Sequence, residues 1–305
     1  MKKIALVLFV GLVGGFCSAQ TEFNNFELNY QGGYSATPVK IVNVNDKLDT
    51  VRLGEANGYE LGAGAYFNCG LGAEFNYGSS NRYFDTLAGS LKTYSFGLAF
   101  RKAMMGPGSL FDNGFNVAFK IGTGYVHSAK ADEIEYIRTV NGIDSSSVWK
   151  RDKSFSGFYA NGRLDIFKDS PTAIGFYGAS LSGSITYPAV NILSESVNDE
   201  IIKGKWDAGD GVNVINASLE IKPIIIPINE KMGVSLIAAV NYGNFNNYHG
   251  YDPGMSFQAG IALDGFGKFG ECTRITFTRV ARENYVSNEV NFGIDLIQTI
   301  AAFVN

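Results

Sequence analysis

The chain has 305 residues, of which 46% are hydrophobic and only 18% charged, with a formal net charge of −4. Soluble globular proteins carry roughly 25% charged residues, so this chain is poor in charge, while it is rich in glycine (37), tyrosine (16) and phenylalanine (23). This balance excludes a disordered chain, a collagen-like repeat and a disulfide-rich mini-protein, and it offers no basic surface for nucleic acid. After residue 19, no run reaches the roughly 18 apolar residues that a membrane helix needs.

The first 19 residues have the features of a secretory signal peptide. Lys2 and Lys3 form a basic region, Ile4 to Val13 an apolar region, and Cys17-Ser18-Ala19 a small-residue cleavage site. The apolar run is too short for a membrane anchor. We therefore predict that residues 1–19 are removed and that the mature protein leaves the cytoplasm.

From there on, the dominant pattern is the alternation of apolar and polar residues that is typical of β-strands. In residues 93–101, for example, Tyr94, Phe96 and Leu98 share one face. No helical period persists, so we predict an all-β protein in which residues 20–305 form one domain. The twelve predicted strands lie near residues 23–34, 58–68, 70–78, 91–103, 114–128, 155–168, 173–187, 212–226, 232–244, 255–266, 271–281 and 289–303.

The lengths of the strands and connections favour a membrane barrel over a soluble sandwich. Many strands exceed ten residues, whereas strands of globular proteins usually have about 5–6 and a tilted membrane strand needs about 9–11. Connections after even-numbered strands are short, as at residues 68–70, 168–171 and 227–231, and those after odd-numbered strands are mostly longer and more polar. An even number of strands with this alternation is the layout of a transmembrane barrel.

Aromatic residues repeat at the spacing expected for the two membrane interfaces. Phe115 and Tyr125 are ten residues apart on one strand, and Tyr177 and Tyr187 are ten apart on another. At about 3.3 Å per residue and a tilt near 40°, this is roughly 25 Å along the membrane normal, the distance between two aromatic girdles.

Three of the long connections read as strand, turn and strand. The connection 128–155 contains Asn141-Gly142, a pair that favours a two-residue hairpin turn. Val39 to Leu53 and Val190 to Trp206 have the same character. We predict that these segments rise as hairpins outside the cell.

Taken together, the signal peptide, the amphipathic strands and the alternation of short turns and long loops resemble Gram-negative outer-membrane β-barrels over nearly all of residues 20–305. The resemblance is to the general class, without a motif of a particular family. It implies one closed antiparallel up-and-down barrel in the outer membrane, in contact with lipid, with both termini periplasmic. In that class the last strand commonly ends on an aromatic residue, which here corresponds to Phe303, two positions before the end.

The residues that chemistry would need are scarce, and we predict no enzyme, metal or cofactor. Histidine occurs only at positions 127 and 249. The pair His127-Ser128 resembles the His-x-Ser arrangement of outer-membrane lipid hydrolases, but adjacent residues of a strand point to opposite faces. Turn chemistry explains the polar clusters at 43–46 and 207–211 better than calcium binding does.

The charged residues on the polar face of the strands are the candidate functional residues. A lysine or arginine facing lipid at mid-membrane costs about 2–4 kcal/mol, so these charges must face the lumen. Glu74, Lys120 and Arg163 fall near mid-strand and are the predicted constriction. The full inward set is Glu27, Glu60, Glu74, Arg101, Lys120, Arg163, Asp165, Glu220, Lys222, Asp264, Arg274 and Asp295.

Three functions remain open at this point. The first is a narrow channel for small hydrophilic solutes, which small inward residues such as Gly62, Ser182 and Gly260 favour. Its selectivity for charge would be weak, because acids and bases nearly cancel. The alternative is a non-conducting barrel whose hairpins contact a surface ligand, an envelope partner or a second copy, with the charges as a salt-bridged plug. A membrane-embedded hydrolase ranks last.

The two cysteines of the mature chain are predicted to remain thiols. Cys69 lies in the turn after the second strand and Cys272 begins the eleventh, so both belong at the periplasmic rim. In a twelve-stranded barrel these strands are about three spacings of 4.8 Å apart, whereas a disulfide needs Cα atoms within about 7 Å.

Overall fold

The computed structural model describes residues 26–304 except 43–47, 85–86, 105–114, 141–142, 169–170, 188–189, 199, 208–212, 247–249, 267–269 and 283–285. The predicted signal peptide, His249 and most of the two polar clusters lie outside these residues. The described strands are β1 (Phe26–Val42), β2 (Leu48–Tyr66), β3 (Leu71–Phe84), β4 (Leu87–Met104), β5 (Phe115–Val140), β6 (Ile143–Lys168), β7 (Gly178–Thr186), β8 (Val190–Val197), β9 (Glu200–Asp207), β10 (Val214–Lys222), β11 (Ile225–Pro227), β12 (Met232–Asn246), β13 (Gly250–Gly265), β14 (Gly270–Arg282) and β15 (Val286–Asp295).

Twelve of these strands close into an antiparallel ring. Each pairs with the next along the chain, in the order β1 to β7, β10, β12, β13, β14 and β15, and β15 pairs back with β1. Strands β8 and β9 form a hairpin beyond β7, and β11 extends the pairing with β12. The predicted twelve-stranded up-and-down barrel is confirmed. Closure leaves no unpaired strand edge inside the wall, as a membrane-spanning sheet requires.

The outer surface of the wall is apolar. Phe96 is 61% exposed and Phe158 67%, while their inward neighbours Ser95 and Tyr159 belong to the lumen. Tyrosine, phenylalanine, leucine and isoleucine side chains recur at every second position around the ring, for example Leu28, Leu61, Phe75, Leu98, Ile121, Leu164, Leu181, Leu219, Leu236, Phe257, Phe277 and Phe292. An exposed apolar band on every strand is the surface that a bilayer covers.

One of the two predicted aromatic pairs is wrong in part. Tyr125 and Tyr187 are exposed on the outer face, but Tyr177 is only 4% exposed and packs on Ile225 and Phe266. The strand begins at Gly178 rather than at 173, so alternation does not extend back to Tyr177. Phe176 takes the outward position instead, with its ring 6.2 Å from that of Phe115.

The strand pairing of the three predicted hairpins is confirmed. Strands β5 and β6 pair without a shift up to Val140 and Ile143, and the predicted turn residues 141–142 lie outside the described residues. The pairing of β1 with β2 likewise continues to Val42 and Leu48. Between β8 and β9, Asn198 adopts a positive φ of 50°, and its side chain accepts a hydrogen bond from the backbone of Val148.

The prediction of a strand over 289–303 is wrong, because a helix, α1 (Leu296–Val304), follows directly after β15. Asp295 begins this helix as its N-cap, since its Oδ1 atom accepts a hydrogen bond from the backbone N–H of Gln298 at 2.9 Å. Gln298 and Ala302, four residues apart, are buried, while Ile300 and Phe303 face outward. Among the described residues, no helix is long and apolar enough to cross a membrane.

Candidate functional site in the barrel lumen

Nearly all predicted inward charges meet in one layer near the short-turn end of the barrel. Because each lies within a few residues of that end of its strand, closure brings them to one level. We call this set the inner charged layer. It consists of Glu27, Glu74, Arg101, Lys120, Arg163, Asp165, Glu220, Lys222, Asp264, Glu271, Arg274 and Asp295.

Strands β1 to β5 contribute the first group of the layer. Arg101 forms an ion pair with Glu27, and Lys120 pairs with Glu74 and lies 3.5 Å from Glu27. The Tyr66 hydroxyl donates to Glu74, and its ring lies 3.7 Å beneath the Arg101 guanidinium. Each acid therefore contacts a base of another strand, and the aromatic ring stacks on the most buried of these bases.

Strands β10, β13 and β14 contribute the second group. Arg274 binds both oxygens of Glu220, at 3.0 and 3.2 Å, and also binds Glu271. Lys222 pairs with Asp264 and lies 2.7 Å from Glu271. The two bases share one carboxylate, so these five side chains form a single network.

Arg163 and Asp165 of β6 form the third group, on the wall between the other two. The Nε atom of Arg163 lies 2.8 and 3.0 Å from the two carboxylate oxygens of Asp165. Arg163 is also the direct cross-strand neighbour of Lys120. Half of the Arg163 side chain is exposed to the lumen, which makes it the most accessible base in the ion pairs of the layer.

Glu271 is a member of the layer that simple alternation misses. Opposite Leu263 and Asp264, the register of β14 skips Cys272, which is the extra residue of a β-bulge. The bulge interrupts the alternation, so Glu271 and Arg274 reach the same network although they are three residues apart. Cys272 is buried and is not joined to Cys69 by a disulfide.

Glu60 also faces the lumen, but it lies outside the inner charged layer. It lines a cavity of about 570 Å³ toward the long-hairpin end. A second cavity of about 480 Å³ shares the lining residues Asn216, Asn241 and Ser256 with the first. We call these two neighbouring cavities together the outer chamber. Amides, hydroxyls and glycines dominate its lining.

A third cavity, of about 340 Å³, lies within the inner charged layer itself. Lys120 and Arg163 line both this cavity and the outer chamber, which places the pair at the boundary between them. Gln298 of α1 also lines it. Polar space therefore lies on both sides of Lys120 and Arg163, in the chamber and within the layer.

His127 and Ser128 form hydrogen bonds with different partners. The His127 ring nitrogen Nδ1 lies 2.9 Å from the Ser156 hydroxyl, whereas the Ser128 hydroxyl lies 3.0 Å from that of Thr93. The two side chains thus point to opposite faces of β5, as alternation predicts. Within the described ranges, His, Cys, Asp and Glu residues form no group of three that could hold a metal ion.

Comparisons with known proteins agree with the barrel. No family model and no curated protein sequence matches the chain. Among solved structures, it is similar to the translocator domain of the autotransporter NalP from Neisseria meningitidis, with 12% identity, a TM-score of 0.50 and coverage of 96% of this chain and 95% of that one.

Two further similarities are more distant. The transport unit of the autotransporter AIDA-I from Escherichia coli shares 11% identity at a TM-score of 0.46, with 93% of this chain and 96% of that one covered. The toluene transporter TodX from P. putida shares 9% identity at a TM-score of 0.34, with 90% of each chain covered. The closed twelve-stranded ring, with an apolar surface outside and a polar lumen inside, makes this chain an integral β-barrel of the outer membrane.

Proposed function

We propose that the barrel is a passive channel for small hydrophilic solutes. The observation that carries this proposal is the presence of polar cavities in both the outer chamber and the inner charged layer, with Lys120 and Arg163 in the lining on both sides. A barrel filled by its own side chains would have no reason to keep such space. The boundary at Lys120 and Arg163 is the constriction.

The charge at this constriction is mixed, which supports weak selectivity. Seven acids and five bases of the inner charged layer lie at one level, and each of the five bases contacts an acid directly. Strong selectivity in pores arises from rings of one sign. A solute passing here meets both signs within a few ångströms.

Single-channel recording in a planar bilayer tests the proposal. The wild-type protein is expected to conduct with little preference between cations and anions. The double variant K120Q/R163Q removes two bases that line both the layer cavity and the chamber cavity of about 480 Å³, so its reversal potential in a salt gradient is expected to shift toward cations. The variant K130Q/R151Q makes the same change of charge in the raised hairpin of β5 and β6, outside the lining of the three cavities, and serves as the matched control.

Correctly folded protein that does not conduct would contradict the channel, as would a K120Q/R163Q variant whose ion preference stays at the wild-type value. Folding is checked independently by the heat-dependent change in electrophoretic mobility that closed barrels undergo.

A binding or structural barrel is the second candidate, and the raised hairpins favour it. Strands β5, β6, β8 and β9 continue side by side beyond the ring, with Trp149 of β6 paired to Val197 of β8. Arg151 ties this extension together through Glu195 at 2.8 Å and stacks 4.4 Å from the Trp149 ring. An ordered sheet of this kind suits contact with an external ligand. If folded protein fails to conduct, this function replaces the channel.

A further inference from the structure

Asparagine and serine side chains cross five neighbouring wall strands on one side of the outer chamber. Register places them in two rows that run around the wall. In one row Asn161 faces Ser184, which faces Asn216; in the other, Ser182, Ser218, Asn241 and Ser256 are successive partners. We call these seven residues the Asn/Ser ladder.

Hydrogen bonds within the ladder hold its amides in place. Asn241 donates to Ser256 at 3.3 Å and accepts from Ser218, and Asn216 donates to Ser184 at 3.4 Å. An amide has two N–H donors and an oxygen with two acceptor positions. These contacts therefore orient the amides of Asn216 and Asn241 and leave each of them capacity to bind a ligand. Asn216 is exposed to the chamber.

The chamber beside the ladder has the size and the neutrality of a small-molecule site. Its cavity of about 480 Å³ falls within the range of about 300–1,000 Å³ that is usual for ligand pockets. In this cavity the two charged lining residues, Lys120 and Arg163, are each bound to an acid, Glu74 and Asp165, whereas Glu60 lies in the adjoining cavity of about 570 Å³. A charged ligand beside the ladder would have to compete with these ion pairs, and burying it there would be costly.

We propose that the Asn/Ser ladder is a binding site for a neutral, polyhydroxylated solute, of the class of a short oligosaccharide. Sugar hydroxyls both donate and accept, which matches a surface of amides and serine hydroxyls at strand spacings of about 4.8 Å. The role of this site in transport of the solute across the membrane rests on the channel function proposed above. The binding of the solute to the site does not depend on that function.

The test uses maltotriose as the probe and has two separate measurements. Calorimetry on the full-length protein in detergent measures binding, and planar-bilayer recording measures whether added maltotriose lowers the open-channel current. N216A and N216A/N241A remove one or two oriented amides. At about 1 kcal/mol per hydrogen bond, affinity is expected to fall roughly fivefold for the single and more than tenfold for the double variant.

The matched control is N291A, since Asn291 bonds Thr278 at 3.3 Å and lines the cavity of about 570 Å³ but not the cavity of about 480 Å³ beside the ladder. Its affinity for maltotriose is expected to stay within twofold of the wild type. If the double variant does not fold, N216A alone decides, because this side chain is already open to the chamber.

The possible results separate the site from the channel. Conductance without maltotriose binding overturns the site and leaves the channel standing. Binding without conductance supports the site and overturns the channel. Equal binding of a trisaccharide that carries carboxylates, or unchanged affinity in N216A, overturns the assignment of a neutral solute to the Asn/Ser ladder.

Discussion

The inner charged layer and the outer chamber are two sections of one lumen, and they use inward polar residues in opposite ways. In the layer, Arg274 and Lys222 consume the hydrogen-bonding capacity of Glu220, Asp264 and Glu271. In the chamber, neutral amides and hydroxyls bond to one another and border open space. The direction of a side chain alone does not decide its role. The role of an inward side chain depends on whether neighbouring side chains already occupy its hydrogen-bonding positions.

The inner charged layer and the outer chamber are also expected to differ in how strongly a substitution changes the stability of the barrel. Removing one partner of a buried ion-pair network leaves an uncompensated charge, which typically costs about 3–5 kcal/mol, although the intact network contributes little net stability. A neutral hydrogen bond contributes about 0.5–1.5 kcal/mol. The buried ion pairs of the layer are therefore expected to be intolerant of single substitutions, whereas the more exposed Lys120 and Arg163 and the residues of the chamber are expected to be tolerant.

The largest expected effect is in the layer. R274M removes the base that binds both Glu220 and Glu271, and we expect it to lower the free energy of unfolding by about 3–5 kcal/mol. Urea unfolding of the barrel in detergent measures the change. S218A, in the chamber, is the control and should cost about 1 kcal/mol or less. Equal losses of stability in R274M and S218A would contradict the proposed difference between the inner charged layer and the outer chamber.

A matched pair of adjacent residues tests whether the chamber holds water. Phe257 is 53% exposed on the outer face, while Gln258 lines the chamber and donates to Thr276 at 2.8 Å. We expect F257R to destabilise the barrel by about 2–4 kcal/mol in a bilayer and Q258R by less than about 1 kcal/mol. The same unfolding experiment in lipid vesicles measures both. A Q258R variant as unstable as F257R would mean a dry interior.

Thiol labelling compares access to the two sections directly. In a C69S background, the only cysteine of the mature chain is Cys272, which is buried in the layer against Met232 and Ala302. A membrane-impermeant maleimide is expected to modify it at least tenfold more slowly than a cysteine introduced by S218C in the chamber. Mass spectrometry over time gives the rates. Rapid modification of Cys272 in folded protein would show that the layer opens readily.

The smallest effect on the barrel is expected from protease added to intact cells, which tests which section faces outward. Cleavage should occur first within residues 128–155, where β5 and β6 form the longest raised hairpin. The ring below should stay folded, because its pairings do not depend on the tip. Early cleavage near residues 227–231 instead would place the charged layer, not the chamber, toward the outside.

Most of what could be predicted from the sequence follows from the alternation of apolar and polar residues. It gives the ring of twelve strands and sends residues such as Lys120 and Glu220 inward, because a side chain that faces lipid must be apolar. It fails where the backbone departs from a regular strand. Glu271 joins the layer through a bulge, and Tyr177 is buried because its strand begins one residue later.

Two further features depend on contacts distant in sequence. The helix α1 has only nine residues, too few for a helical period to stand out in an apolar stretch, and it needs Asp295 as its cap. The partners within the lumen are equally hidden. That Arg274 meets Glu220, 54 residues away, follows from closure of the ring and from no local pattern.

The seam between β1 and β15 has a consequence for how quickly the barrel forms. Asn29 pairs with Asp295 and Ala36 with Asn288, so closure joins the two ends of the described chain, whereas the hairpins need only local contacts. Pairing at such separation is the slow step of a fold, and until it occurs both edges expose backbone groups that lipid cannot satisfy. Closure and membrane insertion are thus coupled in time. Helix α1 follows the seam and contacts both β1 and β14. We expect this packing to slow the separation of β1 from β15.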